Sequence, residues 1–270
     1  MQQIKTVALI GLGAIGCSVA RELCRAVGYD NFRVIAGGAR RERLERDGVV
    51  INGEPCRFQI VPPDAQTGPA DLVVVAVKFG GLERAVRDIA GQVGPETTII
   101  SFLNGISSDE TLAAAYGWDH VLYGMVRRAV TMQDGVCTYD ESAGTYYFGE
   151  AKNPVITPRT ARVCALFERA GLRYEVPADM VREIWVKFMA NVSENQSAAI
   201  LGIPYAAWYE DGNDANWIRE AACREVIAVA NRCGIDLGED DLIRQRARAK
   251  CTPAWGKPST LQDIEAGRPT

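Results

Sequence analysis

Histidine is almost missing from this sequence, and its cysteines lack the spacing of a metal site. The single histidine, His120, stands apart from all eight cysteines, and no two cysteines form a C-x-x-C pair. Zinc sites in proteins use clustered cysteine and histidine ligands, so we expect no metal site. Scattered cysteines of this kind are typical of free thiols in a reducing compartment.

The chain also lacks long apolar runs, a targeting segment and an excess of basic residues. No apolar run approaches the ~20 residues that span a bilayer, and the first residues, MQQIKTVALIGLG, show no cleavage-site pattern. The formal net charge of −4 gives no support for nucleic-acid binding. We therefore expect a cytoplasmic protein that binds neither membranes nor nucleic acid.

What the sequence does contain is an ordinary globular composition and a change of pattern along its length. Its 270 residues, 47% hydrophobic and 24% charged, are comfortable for two domains. Apolar runs in the first half alternate with helical segments, which predicts an α/β fold with a doubly wound parallel sheet. The runs are TVALI, FRVIA, DLVVVAV and TTIISF, at 6–10, 32–36, 71–77 and 97–102.

Two segments interrupt that alternation, and the second half departs from it. Asn52-Gly53 predicts a small hairpin, and residues 120–148 predict an antiparallel extension of the sheet. From Asp179 onward nearly everything is helical, with Pro204 and Pro258 among the breaks. We therefore predict an N-terminal Rossmann-type domain at 1–176 and an all-helical substrate and catalytic domain at 177–270.

The glycine motif GLGAIG lies directly after the first strand and opens the first helix. In a G-x-G-x-x-G motif the first glycine allows a tight turn, the second admits a pyrophosphate, and the third permits close helix packing. The helix N-terminus then faces the phosphates. We predict a dinucleotide site here, against the alternative of a merely glycine-rich turn. Its residues are Gly11, Leu12, Gly13, Ala14, Ile15 and Gly16.

The end of the second strand indicates which dinucleotide is bound. NAD-preferring sites place a carboxylate there, about 20 residues after the glycines, but this chain has Gly37 and Gly38 followed by arginines. Arginine can pair with the 2′-phosphate of NADP. We favour NADP(H), with Arg40 as the phosphate ligand. The alternative is a solvated helix face, because Glu42 and Glu45 interleave with the arginines.

Two further polar residues follow buried strands. Lys78 follows DLVVVAV, and Asn104 follows TTIISF. Open α/β sheets bind ligands at the carboxyl ends of their strands, so both residues are candidates for the cofactor crevice. An ordinary surface lysine and a simple turn are the alternatives.

A row of polar side chains runs along the segment WVKFMANVSEN. Lys187, Asn191 and Asn195 recur every four residues and therefore share one face of an α-helix. A lysine ammonium can stabilise and protonate the oxygen of a ketone that accepts a hydride, and carboxamides can orient a substrate without adding charge. Alternatively, Lys187 pairs with Glu183 or Glu194 on a wet face.

Together these segments resemble the ketopantoate reductases, within the 6-phosphogluconate-dehydrogenase-like superfamily. The likeness is carried by GLGAIG, AVKFGGL, FLNGIS, WVKFMANVSEN and PSTLQDIEAGRPT, in this order. The resemblance implies NADPH-dependent reduction of 2-dehydropantoate to (R)-pantoate, on the route to pantothenate and coenzyme A. It also implies roles for single residues: Lys187 as the catalytic lysine, Lys78 and Asn104 beside the cofactor and active site, and Asn104, Asn191, Asn195 and Ser259 as substrate ligands, with Ser259 at the carboxylate.

The sequence departs from that family at two places. Many members carry a phosphate-binding arginine where this chain has Gly37, and a substrate-binding glutamate directly after the threonine that matches Thr270. We therefore expect a truncated helical domain. Three alternatives stay open: a reductase of another 2-oxoacid, a 3-hydroxyacid dehydrogenase of the same superfamily, and a non-catalytic NADPH-binding sensor. A homodimer is also kept open.

Overall fold

The chain divides after Met180 in a computed structural model that describes residues 3–270. Its contacts separate an N-terminal unit, Met1–Met180, from a C-terminal unit, Val181–Thr270. The mixed α/β character, with a parallel sheet first and helices after it, confirms the predicted fold class. The sequence had placed the boundary a few residues earlier, near 176.

The N-terminal unit consists of strands that alternate with helices. Within residues 3–180 its twelve strands are β1 (Val7–Ile10), β2 (Phe32–Ile35), β3 (Val49–Ile51), β4 (Glu54–Cys56), β5 (Gln59–Val61), β6 (Leu72–Val75), β7 (Thr98–Ser101), β8 (Val121–Arg127), β9 (Thr131–Gln133), β10 (Val136–Thr138), β11 (Thr145–Gly149) and β12 (Tyr174–Glu175). Its α-helices are α1 (Ala14–Val27), α2 (Gly38–Asp47), α3 (Leu82–Asp88), α4 (Ser108–Tyr116) and α5 (Pro158–Arg169).

The main sheet has the strand order β12-β11-β8-β7-β6-β1-β2-β5. Six neighbouring strands of this sheet are parallel to one another: β8, β7, β6, β1, β2 and β5. Strand β11 runs antiparallel to β8. Helical connections explain the parallel part, because parallel neighbours need a crossover. The predicted antiparallel extension is therefore present, formed by β8 and β11.

A second, four-stranded sheet has the order β4-β3-β10-β9. The predicted hairpin joins β3 to β4, and both turn residues, Asn52 and Gly53, have positive φ, as a type I′ turn requires. The sequence did not predict that β10 would pair with β3 rather than extend the main sheet. This pairing buries Ile51 and Cys137 in the apolar core.

The core of the N-terminal unit lies on both faces of the main sheet. Successive strand residues point to opposite faces, so Leu9 and Val74 belong to one apolar cluster while Ile10 and Val75 belong to the other. Helices α1 and α5 contribute to the first cluster, and α3 and α4 to the second. Double coverage explains why the parallel strands are almost continuously hydrophobic.

The C-terminal unit is helical, as predicted. Its α-helices are α6 (Met180–Ala190), α7 (Ser197–Leu201), α8 (Asp214–Arg232), α9 (Glu239–Ala249) and α10 (Ser259–Glu265). A single π-helical segment, Asn191–Gln196, joins α6 to α7, and we call it the π turn. Between residues 3 and 270, no helix has both the length and the apolarity to cross a membrane.

Candidate functional site

The loop between β1 and α1 brings two glycines into very close backbone packing. A Cβ at Gly11 would lie 2.5 Å from the carbonyl carbon and oxygen of Ala76, and Gly11 has φ +97°. A Cβ at Gly16 would lie 2.1 Å from the carbonyl oxygen of Gly11. No side chain fits at these distances. Glycine is therefore required at both positions by the fold of the loop itself.

Gly13 differs, because a Cβ there would meet nothing within 4 Å. It is the N-cap of α1, and no side chain caps the first turn of this helix. Uncapped N–H groups at a helix N-terminus attract anions. The open space at Gly13, beside the first turn formed by Ala14, Ile15 and Gly16, fits a dinucleotide pyrophosphate.

Lys78 and Asn104 lie at the same edge of the sheet as this loop. Strand β6 lies between β1 and β7, with Val75 opposite both Ile10 and Ser101, so the three strands end together. Lys78 follows β6, Asn104 follows β7, and both side chains are exposed. The structure thus brings together the glycine loop and these two predicted residues.

Arg40 reaches the glycine loop from α2. Its Nη2 donates a hydrogen bond to the carbonyl oxygen of Leu12. Although the residue is exposed, its guanidinium is partly desolvated, and desolvation followed by repulsion from Arg43 lowers the pKa of Arg40. A cation therefore lies beside the glycine loop, and the role of Arg40 as a 2′-phosphate ligand stays a prediction.

A second arginine, which was not predicted from the sequence, lies close to Gly37. Nη2 of Arg84, on α3, is 3.8 Å from the position of a Cβ at Gly37. Its Nε is 3.3 Å from Asp88 on the same helix, and its side chain is 70% exposed. Arg84 is distant from Gly37 in sequence, so the only available signal was its place on the helix that follows Lys78.

The predicted polar row lies in the C-terminal unit, on a backbone less regular than expected. Lys187 is in the last turn of α6, while Asn191 and Asn195 belong to the π turn; all three are half-buried. In an α-helix, residue i+4 lies slightly past one full turn. A π-helix has i to i+5 hydrogen bonds and wider turns, so residue i+4 lies slightly before one full turn. The π turn therefore brings Asn195 back toward the line of Lys187 and Asn191.

Ser259 is the first residue of α10 and is exposed. Helix α10 packs against both the π turn and α7. The structure therefore places the elements that carry Asn191, Asn195 and Ser259 next to one another within one unit.

Glu194 is the residue whose position differs most from the helical-wheel expectation. In a regular α-helix, Glu194 would lie near Lys187 on a solvent-exposed face. In the structure Glu194 is buried, and Gln245 of α9 donates a hydrogen bond to its carboxylate. Arg219 of α8 also approaches it. Neither Arg219 nor Gln245 was predicted from the sequence, since neither shares a local motif with Glu194.

The distribution of cysteine, histidine and acidic side chains bears on metal binding. All eight cysteines are free thiols. Across residues 3–270, no group of three or more histidine, cysteine, aspartate or glutamate residues could hold a metal ion.

Both units of the chain match known protein families. Residues 7–153 match the family described as ketopantoate reductase PanE/ApbA, and residues 179–270 match its C-terminal part. The 2-dehydropantoate 2-reductase of Mesorhizobium japonicum is 27% identical over 292 aligned positions, which cover 97% of this chain and 86% of the relative.

Two solved structures show the same fold. The 2-dehydropantoate 2-reductase of Geobacter metallireducens has a TM-score of 0.85 and 24% identity, covering 98% of this chain and 88% of the other. D-mandelate dehydrogenase, in a ternary structure with NADH and anilino(oxo)acetate, has a TM-score of 0.83 and 19% identity, covering 97% and 86%. The family matches confirm the resemblance found in the sequence. The chain belongs to the ketopantoate reductase PanE/ApbA family and is an oxidoreductase.

Proposed function

We propose that the protein reduces a 2-oxoacid with NADPH, and that its substrate is 2-dehydropantoate, an intermediate of pantothenate synthesis, which it converts to (R)-pantoate. The observation that carries the proposal is the row of Lys187, Asn191 and Asn195 in a member of this family. Such a row offers one cation and two carboxamides, which suit a substrate with a carbonyl and a carboxylate. The glycine loop between β1 and α1 supports the proposed binding of NADPH.

NADPH, when bound, supplies a hydride to C2 of the oxoacid. Negative charge then develops on the carbonyl oxygen, and the ammonium of Lys187 stabilises that charge. Lys187 Nζ donates a proton to the same oxygen, so the ketone becomes a hydroxyl and the lysine is left neutral. Lysine suits this role because its ordinary pKa, about 10.4, keeps it protonated at neutral pH.

The remaining candidates orient the reactants. Asn191 and Asn195 hydrogen-bond to the substrate, and Ser259 contacts its carboxylate. On the sheet edge, Lys78 and Asn104 hold the cofactor, and Asn104 also faces the substrate. Correct orientation can contribute several powers of ten to the rate.

The decisive experiment compares the wild-type chain with Lys187→Ala in NADPH oxidation on 2-dehydropantoate. We expect kcat to fall about 10²–10⁴-fold, with the Kd for NADPH unchanged. Lys250→Ala is the matched control, because that lysine forms an exposed ion pair with Asp211 at 2.9 Å in the same unit. Equal turnover in both variants would contradict the catalytic assignment.

Cofactor preference is assigned to Arg40 and Arg84 together. The Arg84 guanidinium lies beside Gly37, just after β2, and the Arg40 guanidinium contacts Leu12 in the glycine loop, so both are candidate ligands of the 2′-phosphate of NADP. We expect the double variant Arg40→Ala/Arg84→Ala to raise KM for NADPH about tenfold or more, because two charge-assisted contacts are lost, while KM for NADH stays constant. Exposed Arg87, on the same helix as Arg84, provides the control Arg87→Ala. A parallel rise for both cofactors would count against this assignment.

One observation favours a second candidate, an NADH-dependent dehydrogenase of another 2-hydroxyacid. Gly37 provides no cationic side chain at the end of β2. The fold also resembles that of D-mandelate dehydrogenase. Activity on a panel of 2-oxoacids with each nicotinamide distinguishes the two candidates. Cofactor binding without turnover of any panel member would instead favour the sensor.

A further inference from the structure

A buried polar cluster lies beneath the π turn in the C-terminal unit. It consists of Glu194 from the π turn, Arg219 from α8 and Gln245 from α9, with exposures of only 5%, 2% and 6%. Three separate elements, the π turn, α8 and α9, therefore each contribute one buried polar side chain to this cluster. Polar groups are rarely buried so completely unless they are paired.

The contacts within this cluster converge on the carboxylate of Glu194. Gln245 Nε2 donates a hydrogen bond of 2.9 Å to Glu194 Oε1, and Arg219 Nη1 lies 3.8 Å from the same oxygen. The indole of fully buried Trp208 lies 6.0 Å from the Arg219 guanidinium. Burial lowers the pKa of Arg219, whereas the charge of Glu194 raises it. Arginine remains protonated in proteins, so the cluster holds a buried ion pair.

This ion pair has a structural consequence for the backbone above it. A π turn contains one residue more than an α-helix would accommodate, and it persists where surrounding contacts hold it in place. Burying one charge without its partner is strongly unfavourable, so the pair favours the single register in which Glu194 faces inward. In that register the buried residues Ser193 and Glu194 lie between Asn191 and Asn195 in the sequence of the π turn.

We propose that Arg219 and Gln245 are positioning residues that hold Glu194 inside, thereby fixing the π turn and aligning Asn191 and Asn195 for the substrate. The proposal rests on the proposed function insofar as it assigns those asparagines to an oxoacid. The mechanical part, that the cluster holds the π turn, stands on the contacts alone.

The first test replaces Arg219 by methionine, which keeps much of its bulk but removes its charge. We expect Arg219→Met to lower kcat/KM for 2-dehydropantoate about tenfold or more, mainly through KM, because small misplacements of orienting groups are costly. The Kd for NADPH should not change. Arg224→Met is the matched control on the same helix, where Arg224 forms exposed ion pairs with Glu220 and Glu239 at 3.4 and 2.7 Å.

The second test asks whether the loss of activity in Arg219→Met comes from the buried charge of Glu194. In Glu194→Gln/Arg219→Met the buried carboxylate becomes a neutral carboxamide whose oxygen still accepts from Gln245. We expect kcat/KM to return to within about threefold of the wild type, since no uncompensated charge remains. If Arg219→Met alone does not fold, this double variant and Gln245→Ala are compared instead, and the latter should raise KM by a few-fold.

A third measurement does not depend on turnover. Amide hydrogen exchange across residues 191–196 should be faster in Arg219→Met and unchanged in Arg224→Met, because local opening reports local stability. Unchanged exchange, or faster exchange without a rise in KM, would overturn the proposal. A wild-type chain without oxoacid turnover would refute the proposed function alone, and the exchange comparison would then still decide whether Arg219 holds the π turn.

Discussion

Single residues of the loop after β1 carry two different requirements. Gly16 is needed because the carbonyl oxygen of Gly11 occupies the space of its Cβ, at 2.1 Å. Gly13 faces open space, so the protein itself does not require a glycine there. A ligand whose phosphates approach the helix N-terminus does require it. The same motif therefore contains one glycine for folding and one for binding.

Two substitutions separate these requirements. We expect Gly16→Ala to lower the free energy of unfolding by about 1–3 kcal/mol or more, because the new Cβ overlaps backbone. Gly13→Ala should change the melting temperature only slightly, yet raise the Kd for NADPH at least about tenfold. Thermal unfolding and fluorescence titration measure the two effects. Equal destabilisation by both substitutions would show that the glycines have one common role.

At the scale of secondary-structure elements, the first turn of α4 contains a buried carboxylate that is poorly accommodated. Asp109 is 3% exposed, and within the described part of the chain its Oδ1 has no hydrogen-bond partner. Burial raises the pKa of Asp109 well above its ordinary value, although a hydrogen bond from the Gly124 backbone opposes this shift. Helix α4 packs on β8 in this region. The buried carboxylate therefore weakens the packing between α4 and β8.

The raised pKa makes stability depend on pH with a definite sign. The unfolded chain releases the Asp109 proton near pH 4, whereas the folded chain retains it to higher pH, so stability falls as pH rises from about 4 through the folded pKa. We expect Asp109→Asn to be about 1–3 kcal/mol more stable than the wild type at pH 7. The difference should shrink toward pH 4.

Chemical denaturation at several pH values measures this difference. Exposed Glu110 is the next residue of the same helix, and Glu110→Gln is the control, which should show little pH-dependent change. A wild type more stable than Asp109→Asn at pH 7 would mean that the carboxylate finds a compensating partner in solution.

At the scale of the whole molecule, the N-terminal unit contains a complete core. Both apolar clusters of the main sheet are formed by residues between Ile4 and Leu172. A unit of this size lies within the usual range of domains that fold alone. The glycine loop, Arg40, Arg84, Lys78 and Asn104 all belong to it.

We therefore expect a fragment of residues 1–180 to unfold cooperatively and to bind NADPH without reducing any oxoacid, since Lys187 is absent. Circular dichroism and calorimetric titration would measure the two properties. A fragment with native-like circular dichroism but no affinity for NADPH would mean that the glycine loop is insufficient for binding. The homodimer stays a prediction, to be tested by light scattering of the full chain.

Much of this architecture was predictable because it is encoded locally. Buried parallel strands are short apolar runs, the turn at Asn52 and Gly53 needs residues that tolerate positive φ, and GLGAIG marks a strand-to-helix turn. The candidates Lys187, Asn191 and Asn195 followed from a period of four residues. Each of these signals lies within about ten residues of sequence, where periodicity and turn chemistry determine the backbone.

What only the tertiary structure decided involves residues far apart in the chain. The pairing of β10 with β3, the approach of Arg84 to Gly37, and the inward turn of Glu194 to Arg219 have no local signature. These features depend on which surfaces pack together, and packing is determined by burial and pairing across the whole unit. The sequence alone therefore determined the parallel strands, the helical second half and the candidates Lys187, Asn191 and Asn195. Tertiary packing decided the partners of those elements, because a buried charge or an edge strand is satisfied only by what the fold brings to it.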